Sequence, residues 1–562
     1  MGEQTAHAAP RTAVMAARRI PEAAWVAVAT ALAQLPVLDR TLVTLDEGQA
    51  TQIGHRLASG QALYRDIHTG VFPGVYWLIE VLFRTFGTEV LVLRWAQLAV
   101  NTLIAVLLFV LARPLARRWS AWLVPVGYWV LVILSFPVFT MLTYTPLSLL
   151  AALAALVFCR RYVETARVSD GIAVGALLGI STIVKQNFGG LALLAVLLSA
   201  LWTRREGRLA GVPMLRAFGV PVAAGATVAF LAVARLVISG AWAPFLQATF
   251  VTIVGSQMEA FNQPLPPVFG PHPDGGVFYF LYGPGGLFGA MFQGDPLATT
   301  TTISAVIRLA YGGAYLALAL APLLAWRLAR HRDAHVRVTA RILFPFAVLF
   351  FLGIFPSTIW SHLAAVYPPL LVVLAAALSL ALGALDRWTP RAAHIARYTG
   401  LALLATIVVL TARLELGIRR AFAEPLRLPS AGVNVAPRDA QLYRAADEFL
   451  RQCAAQDEPV FVAPYMPLLY VTSGRANATP YDLLISTDVQ ETVVIEKMQS
   501  AGVNCVVFNP RMYVQFPPFE QTFPKLAAYL SDQFAEVGHV TAGDAEWKFL
   551  RRRSVAASKN AP

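Results

Sequence analysis

Long apolar segments separated by short polar loops occupy most of the chain. A short apolar run covers about residues 23–37, and ten more follow it. The later runs cover residues 91–112, 119–136, 146–159, 171–184, 188–202, 217–238, 303–326, 342–355, 363–384 and 396–416. Runs of this kind predict about eleven membrane-spanning helices.

The first apolar run allows two interpretations. Ala31-Leu32-Ala33 resembles the small-residue site at which a signal peptide is cleaved. Many apolar segments follow it, however, and this favours an uncleaved membrane anchor. We therefore expect the run to be the first span.

The stretch from residue 43 to residue 87 interrupts the apolar pattern and is too polar to cross a bilayer. Its part from 71 to 87 is aromatic and weakly amphipathic, which predicts an interfacial segment instead of a span. The segment 275–292, in a loop rich in Pro and Gly, has the same character. We expect both segments to lie at the membrane surface.

Composition places the chain among the membrane proteins. Of its 562 residues, 57% are hydrophobic and only 14% are charged, which lies outside the usual range of soluble domains. The three cysteines form no disulfide framework, and no Cys/His spacing indicates a metal site. The sequence therefore predicts an all-α polytopic membrane region with neither a metal nor a cofactor.

The basic residues determine the predicted orientation. A net charge of +13, from 45 Lys and Arg against 32 Asp and Glu, could indicate nucleic-acid binding. These residues lie in short clusters between apolar segments, however, which is typical of cytoplasmic loops and argues against a nucleic-acid partner. The pattern predicts an inner-membrane protein with a cytoplasmic tail at residues 1–20, a membrane domain at 21–420 and outer loops at 40–90 and 239–302.

Residues 430–562 predict a small extracytoplasmic α/β domain. Helical periodicity at 439–453 and 487–500 alternates with the strand-like segments PVFVA and CVVF. Cys453 and Cys505 could pair in an oxidising compartment, but we expect two separate buried thiols.

Three carboxylates and a histidine make the polar stretch the candidate site. Asp46 and Glu47 lie near its start, and Asp66 and His68 follow about twenty residues later. A lipid-facing site can raise the pKa of a carboxylate, which suits general acid or base chemistry. The same groups would suit an ion pathway, and Asp46 and Glu47 could simply cap an interfacial helix.

A second group of polar residues is cationic. Lys185 ends an apolar run on the predicted outer side, against the positive-inside bias, and is followed by Gln186 and Asn187. Four other basic residues fall near outer helix ends: Arg94, Arg235, Arg308 and His362. Together they could bind a phosphate or pyrophosphate carried on a lipid. Snorkelling to lipid headgroups is the simpler interpretation for Arg94 and Arg308.

The order of these features resembles the polyprenyl-phosphate-dependent glycosyltransferases of the C-type membrane fold, GT-C. The resemblance is carried by the Asp46-Glu47 pair, GQALYRD, VFPGVYWL, FG followed by LRW, GISTIVKQNFG and SHLAAVYPPLLVVLA, within about residues 20–420. The most similar groups are bacterial relatives of protein O-mannosyltransferases, aminoarabinose transferases of lipid A and galacturonosyltransferases of lipopolysaccharide core.

The resemblance implies a reaction. A monosaccharide would pass from a polyprenyl-phosphate donor in the membrane to an extracytoplasmic lipid, glycan or protein, with inversion at the anomeric carbon and without a metal. By analogy Asp46 would deprotonate the acceptor, and Glu47 or Asp66 would orient it.

The resemblance also implies binding roles. Lys185, with help from Arg235 or His362, would stabilise the leaving phosphate. The aromatic interfacial stretch would hold the isoprenoid chain and the sugar. The expected substrate-binding residues are Tyr64, His68, Tyr76, Tyr144, Gln186 and Asn187.

The sequence departs from the family pattern at one place, and two other protein classes remain possible interpretations. The FPVFTMLTYTPLS connection lacks the acidic residue found in many relatives, which leaves Tyr144 and Thr145 as its polar groups. A secondary transporter would explain eleven helices, although the candidate polar residues lie at helix ends and no internal repeat is visible. A non-catalytic envelope-glycan assembly protein would use the outer domain to bind partners.

Overall fold

The computed structural model describes residues 21–43, 45–252, 262–269, 300–484, 489–512, 517–543 and 545–553. The predicted cytoplasmic tail at 1–20, the segment 275–292 and most of the loop at 239–302 lie outside these residues. The predicted fold class is confirmed, because a helical membrane region is followed by a sheet with helices towards the C-terminus.

Eight of the described helices are long and apolar enough to cross a membrane. They are α4 (Val90–Ala112), α6 (Tyr144–Thr165), α8 (Gln186–Thr203), α9 (Met214–Ile238), α11 (Thr300–Leu328), α12 (Ala334–Phe351), α14 (Pro368–Trp388) and α15 (Pro390–Ala421). Three shorter apolar helices occupy the positions of the other predicted spans: α1 (Glu22–Gln34), α5 (Arg118–Leu134) and α7 (Val168–Val184). The chain is therefore a multi-pass membrane protein, and the number eleven stays a prediction.

Two helices in the polar stretch are too short to cross a bilayer. α2 (Asp46–Ala58) and α3 (Gly74–Phe86) have 13 residues each, or about 20 Å at the helical rise. The hydrocarbon core measures about 30 Å. α3 buries Ile79 and Phe83 but exposes Val81 and Phe86, so it has the amphipathic character of an interfacial helix.

The apolar run predicted at 363–384 is divided differently in the structure. A short helix, α13 (Trp360–Val366), precedes α14, which begins at Pro368. Pro368 and Pro369 have no backbone N–H, so they are suited to the first turn of a new helix and not to the interior of a continuing one. As a result His362 lies on its own short helix. Another short helix, α10 (Trp242–Leu246), follows α9.

The described residues of the C-terminal part form two sheets. β1 (Glu424–Leu428) and β2 (Ala431–Val435) form an antiparallel pair. Five further strands are β3 (Pro459–Ala463), β4 (Ala476–Asn477), β5 (Cys505–Phe508), β6 (Phe534–Ala542) and β7 (Ala545–Arg552). Their order is β4-β3-β5-β7-β6, with β3 parallel to β4 and β5 and with β7 antiparallel to both its neighbours.

Helices cover both faces of the five-stranded sheet. They are α16 (Pro437–Cys453), α17 (Leu468–Ser473), α18 (Glu491–Ser500), α19 (Phe519–Thr522) and α20 (Pro524–Gln533). Val460 and Val462 pack into one apolar cluster, whereas Phe461 packs into another. This alternation follows from the two-residue period of a strand and explains why β3 is apolar throughout.

The C-terminal part packs directly on the polar stretch. The backbone N–H of Thr41 donates to the carbonyl of Asn434 at 2.7 Å, and the N–H of His68 donates to the carbonyl of Pro480 at 2.8 Å. Gly48 in α2 faces Leu468, because a Cβ placed on it would lie 3.3 Å from the Leu468 nitrogen. The two regions therefore share an interface beside α2.

Cys453 and Cys505 form a disulfide, so the prediction of two separate thiols is wrong. The cysteines are 52 residues apart, but α16 packs on β5 and brings their Cα atoms to 6.1 Å. That separation is within the range that a disulfide can bridge. The pairing is set by tertiary packing, which cysteine spacing alone does not report.

The disulfide is expected to stabilise the C-terminal part by about 4 kcal/mol, since it closes a loop of this length in the unfolded chain. We expect the Cys453→Ala/Cys505→Ala variant to melt at a lower temperature than the intact protein in thermal scans of purified protein. A Cys159→Ala variant is the matched control, because Cys159 is a free buried thiol. Equal melting temperatures for the intact protein and the double variant would contradict this.

Candidate active site

Side chains from α2, α3, α6 and the α7–α8 junction meet at one end of the helices. The start of α3 approaches the end of α7 so closely that a Cβ on Gly74 would lie 2.8 Å from the carbonyl oxygen of Ile183. Next to this contact, the charge of Asp46 acts on Tyr76 and on Tyr144. We call the group Asp46, Tyr76, Tyr144, Lys185 and His362 the Asp46 site.

Asp46 is the first residue of α2 and is half-buried. Burial raises the pKa of its carboxyl group to about 6, because removal from water disfavours the charged form. None of the ion pairs in the described part of the chain includes it. A carboxylate with a pKa near neutral pH and no paired cation is suited to accept a proton.

Lys185 lies between α7 and α8, with an extended backbone that separates the two helices. Its Nζ donates to Thr145 Oγ1 at 2.9 Å. It also lies 3.9 Å from the ring centre of Phe188 and 5.1 Å from that of Tyr144. Aromatic faces stabilise a cation without neutralising it, and no carboxylate in the described residues forms an ion pair with Lys185. Burial lowers the pKa of Lys185 to about 7, because removal from water disfavours the charged form. The ammonium and the neutral amine therefore both occur near pH 7, and the charged form is available to a ligand.

His362 has a different character from the predicted phosphate-binding cation. Its Nδ1 lies 2.7 Å from the carbonyl oxygen of Ser357, and a carbonyl only accepts, so Nδ1 carries the proton. Burial, and then the nearby Lys185 ammonium, lower the pKa of His362 to about 4. The ring is therefore neutral near pH 7, and its Nε2 is an acceptor for an ammonium or a hydroxyl group.

Tyr76 and Tyr144 line the Asp46 site from two helices. Tyr76 is buried in α3, with its hydroxyl 3.3 Å from Thr69 Oγ1. Burial raises the pKa of Tyr76, so its hydroxyl stays protonated. Tyr144 begins α6, its ring centre lies 5.1 Å from the Nζ of Lys185, and the charge of Asp46 acts on it. Both rings combine an apolar face with a polar hydroxyl, a combination that suits sugar binding.

Glu47 is directed away from the Asp46 site. It is buried, and its carboxylate accepts two hydrogen bonds of 2.7 Å from Arg94. The same guanidinium donates to the carbonyls of Leu38, Arg40 and Thr41. The predicted partner of Asp46 thus holds the segment before α2 in place, and Arg94 is a buried ion-pair partner that does not snorkel to the lipid.

Asp66, Tyr64 and His68 lie in the loop between α2 and α3 and hold that loop together. The Asp66 carboxylate accepts from the Ala62 N–H at 2.7 Å and pairs with Arg65 at 2.8 Å. The Tyr64 hydroxyl donates to the Val71 carbonyl at 2.6 Å. The His68 ring contacts Tyr481 of the C-terminal part. The buried Tyr64 interacts electrostatically with Tyr76, so it borders the Asp46 site, whereas the Asp66 carboxylate is paired with Arg65.

The remaining predicted residues divide between two places. Gln186 is half-buried beside Lys185, whereas Asn187 is exposed and accepts from the Phe188 N–H at 3.0 Å. Arg235 lies elsewhere: it pairs with Glu80 and stacks on Trp77, with its Cζ 4.6 Å from the ring centre. The predicted cationic ring is therefore not one cluster in the described structure.

The C-terminal part contributes a residue that sequence reasoning missed. Asp482 is buried and accepts a hydrogen bond of 2.9 Å from Arg56 of α2. Its charge also acts on Tyr76. The two partners are 426 positions apart, and no local motif distinguishes Asp482 from an ordinary loop aspartate.

The close approach at Gly74 gives a prediction about the shape of the site. We expect Gly74→Ala to force α3 away from α7, because the new methyl group would overlap the Ile183 backbone. Overpacking of this kind destabilises by about 1–3 kcal/mol, and here it would also move Tyr76 relative to Lys185. Thermal stability and substrate KM of the purified variant measure both effects.

Gly87→Ala does not provide a control for this test, because Gly87 has a φ of +88°. Gly190→Ala does, because a Cβ there meets no atom within 4 Å. If Gly74→Ala behaves like Gly190→Ala, the contact between α3 and α7 is not tight.

In the described residues, no three His, Cys, Asp or Glu side chains form a cluster that could hold a metal ion. The residues that converge are instead one carboxylate, one ammonium, one neutral imidazole and two phenols. This set can bind a phosphate, transfer a proton and hold a sugar.

Comparison with known proteins identifies the fold. Residues 68–238 match the family model described as dolichyl-phosphate-mannose-protein mannosyltransferase, over less than half of the chain. A search of curated protein sequences found no match.

Similar solved structures include ArnT from Cupriavidus metallidurans bound to undecaprenyl phosphate, with a TM-score of 0.54, 16% identity, and coverage of 95% of this chain and 98% of that chain. ArnT from the same organism in the apo state matches with a TM-score of 0.50 and 17% identity, over 96% of this chain and 98% of that chain. An Archaeoglobus fulgidus oligosaccharyltransferase matches with a TM-score of 0.47 and 12% identity, over 86% of this chain and 68% of that chain. The two ArnT matches span almost the whole of both chains, and the expected GT-C fold is confirmed.

Proposed function

We propose that this protein is a membrane glycosyltransferase that moves a monosaccharide from a polyprenyl-phosphate donor to a hydroxyl group of an extracytoplasmic acceptor. One observation carries the proposal: Asp46, a carboxylate suited to accept a proton, acts electrostatically on Tyr144, and the Nζ of Lys185 lies 5.1 Å from the ring centre of the same tyrosine. Glycosyl transfer from a lipid phosphate needs these two functions together. The GT-C fold and the mannosyltransferase family match support the same reaction class.

The proposed reaction is a single displacement with inversion. Asp46 takes the proton of the acceptor hydroxyl while that oxygen forms a bond to the anomeric carbon. The bond from the anomeric carbon to the phosphate oxygen breaks, and its electron pair leaves with the phosphate. Lys185 stabilises the negative charge that grows on the phosphate. The acceptor gains a glycosidic bond, and the polyprenyl phosphate is released.

The other residues of the Asp46 site would position the reactants. Neutral His362 can accept a hydrogen bond at Nε2 from a sugar hydroxyl or from Lys185. Tyr76, Tyr144 and Gln186 would contact the sugar, and the aromatic side chains of α3 would lie along the isoprenoid chain. Glu47 would act as a positioning residue through Arg94, which fixes the segment that leads to Asp46.

The orientation we propose places the Asp46 site and the C-terminal part on the extracytoplasmic side of the inner membrane. The basic loops favour this orientation. The Cys453–Cys505 disulfide supports it, because disulfides persist in oxidising compartments. Membrane lipids would surround the long apolar helices, and the acceptor would approach from the side of the C-terminal part.

Comparison of extracted glycolipids and glycans by mass spectrometry tests the function. Intact, deletion and complemented strains are compared under conditions in which the protein is expressed. We expect the deletion to lose one sugar mass from one acceptor and to accumulate the lipid-linked donor. If every glycan is unchanged, the transferase proposal fails, and the transporter and assembly-protein interpretations gain support.

A further inference from the structure

A cavity of about 300 Å³ lies beside α3 and the end of α9. It is lined by side chains that include Leu57, Arg65, Trp77, Glu80, Arg84 and Arg235. We call it the arginine pocket. Neither Asp46 nor Lys185 lines it, so it is distinct from the Asp46 site.

The arginine pocket holds more positive than negative charge. Glu80 alone pairs with both Arg84, at 3.0 Å, and Arg235. Arg65 pairs with Asp66 at 2.8 Å. Three guanidinium groups thus face two carboxylates, which leaves a net charge of +1. The arginine side chains remain 46% to 56% exposed, so several of their N–H groups are open to a ligand.

The guanidinium of Arg235 is held in a defined orientation. Its Cζ lies 4.6 Å from the ring centre of Trp77, and its Nη2 donates to Glu80. Arg65 donates to the carbonyl of Ser239 at 3.1 Å, which ties the α2–α3 loop to the end of α9. Planar guanidinium groups fixed in this way match the geometry of a phosphate.

Exposed apolar side chains accompany the pocket on both helices. Val81 and Phe86 of α3 are 57% and 66% exposed, and Val237 and Ile238 of α9 are 56% and 86% exposed. In a membrane protein such positions contact lipid chains. A ligand of this region would therefore combine an anionic headgroup with an apolar tail.

We propose that the arginine pocket binds the phosphate group of an anionic membrane lipid between Arg65, Arg84 and Arg235, with the lipid tail along the exposed apolar residues of α3 and α9. The two possible sources of this chemistry are a phospholipid headgroup and a polyprenyl phosphate. The proposal rests on charge and shape and does not depend on the proposed glycosyl transfer.

Native mass spectrometry of the purified full-length protein tests the pocket. The probes are phosphatidylglycerol, a polyprenyl phosphate and zwitterionic phosphatidylcholine. We expect the intact protein to retain one or both anionic lipids in preference to phosphatidylcholine. In Arg65→Gln/Arg84→Gln/Arg235→Gln, the Kd for the preferred lipid should rise tenfold or more. The lipid that loses affinity identifies the source.

The matched control is Arg419→Gln/Arg420→Gln, which removes two exposed arginines from the end of α15. It should bind the anionic lipids as the intact protein does. If the triple variant fails to fold, Arg84→Gln alone carries the test, because this side chain is 56% exposed. The proposal would be overturned if the pocket variant and the control bound the anionic lipids with equal affinity. It would also be overturned if the intact protein bound phosphatidylcholine as well as it binds the anionic lipids.

A Lys185→Gln variant separates this inference from the proposed function. Loss of phosphatidylglycerol binding in the pocket variant, but not in Lys185→Gln, supports a phospholipid site that is independent of glycosyl transfer. For polyprenyl phosphate, loss in the pocket variant assigns the lipid to the arginine pocket. Loss in Lys185→Gln alone assigns polyprenyl phosphate to the Asp46 site and leaves phosphatidylglycerol as the expected ligand of the pocket. If the pocket variant loses neither lipid, the proposal is contradicted.

Discussion

Replacing Asp46 with asparagine is expected to lower kcat by about 10²–10⁴-fold, the usual contribution of a general base. Asparagine has nearly the same shape but cannot accept the proton of the acceptor hydroxyl. Asp46 forms no ion pair within the described part of the chain, so the substitution leaves no buried cation without its partner. Melting temperature and donor KM should therefore change little.

The dependence of the reaction on pH gives this prediction a specific signature. Burial raises the pKa of Asp46 to about 6, and only the deprotonated form can act as a base. The kcat/KM of the intact enzyme should fall tenfold per pH unit below about pH 6. It should also fall above about pH 7, because burial lowers the pKa of the Lys185 ammonium to about 7. In Asp46→Asn this acid limb should be absent from the residual activity.

The control for Asp46 is Asp532→Asn, which changes an exposed carboxylate in the C-terminal part. Transfer of sugar from a purified polyprenyl-phosphate donor is measured at matched protein abundance. An Asp46→Asn enzyme with full kcat and an unchanged pH profile would remove Asp46 from the chemistry.

Neutralising Lys185 is expected to produce a loss of similar size. Lys185→Gln should lower kcat by about 10²–10³-fold, as removal of one group that stabilises transition-state charge commonly does. The negative charge on the phosphate grows as its bond to the sugar breaks, so kcat should fall more than donor affinity. Lys185→Arg keeps the charge and should recover part of the activity.

Two comparisons make the Lys185 prediction specific. Lys497→Gln removes an exposed lysine of the C-terminal part and should leave the kinetics unchanged. A donor with a better leaving group should be less sensitive to Lys185→Gln than the normal donor. If Lys185→Gln raises donor KM without changing kcat, Lys185 contributes only to donor binding and does not stabilise the transition state.

Most of the membrane region could be predicted from the sequence, because lipid imposes one rule on every span. An apolar run of sufficient length forms a helix that satisfies its own backbone hydrogen bonds. The run predicted at 217–238 corresponds to α9 (Met214–Ile238). The split between α13 and α14 was missed because Tyr367-Pro368-Pro369 lies inside an otherwise continuous apolar run.

The candidate site was only partly predictable, because the position of a residue in the sequence does not determine which side chain it pairs with in the fold. Lys185 was identified because a basic residue on the predicted outer side opposes the positive-inside bias, and Asp46 was identified as an acid in the polar stretch. Glu47 has the same local signal as Asp46, yet its carboxylate pairs with Arg94, 47 positions away. Successive residues of a helix point about 100° apart, so neighbouring acids can have separate environments. Which environment each one meets depends on packing across the whole chain.

The buried pair of Arg56 and Asp482 links the order of synthesis to the completion of the site. Arg56 emerges early from the ribosome, whereas its partner is made 426 residues later. Until the C-terminal part has been made and has folded, α2 carries a guanidinium without its carboxylate partner. Breaking such a pair is strongly unfavourable once the groups are buried. The pair can therefore form only after residue 482 has been synthesised, and we expect a chain truncated before that residue to leave Arg56 of α2 without this partner.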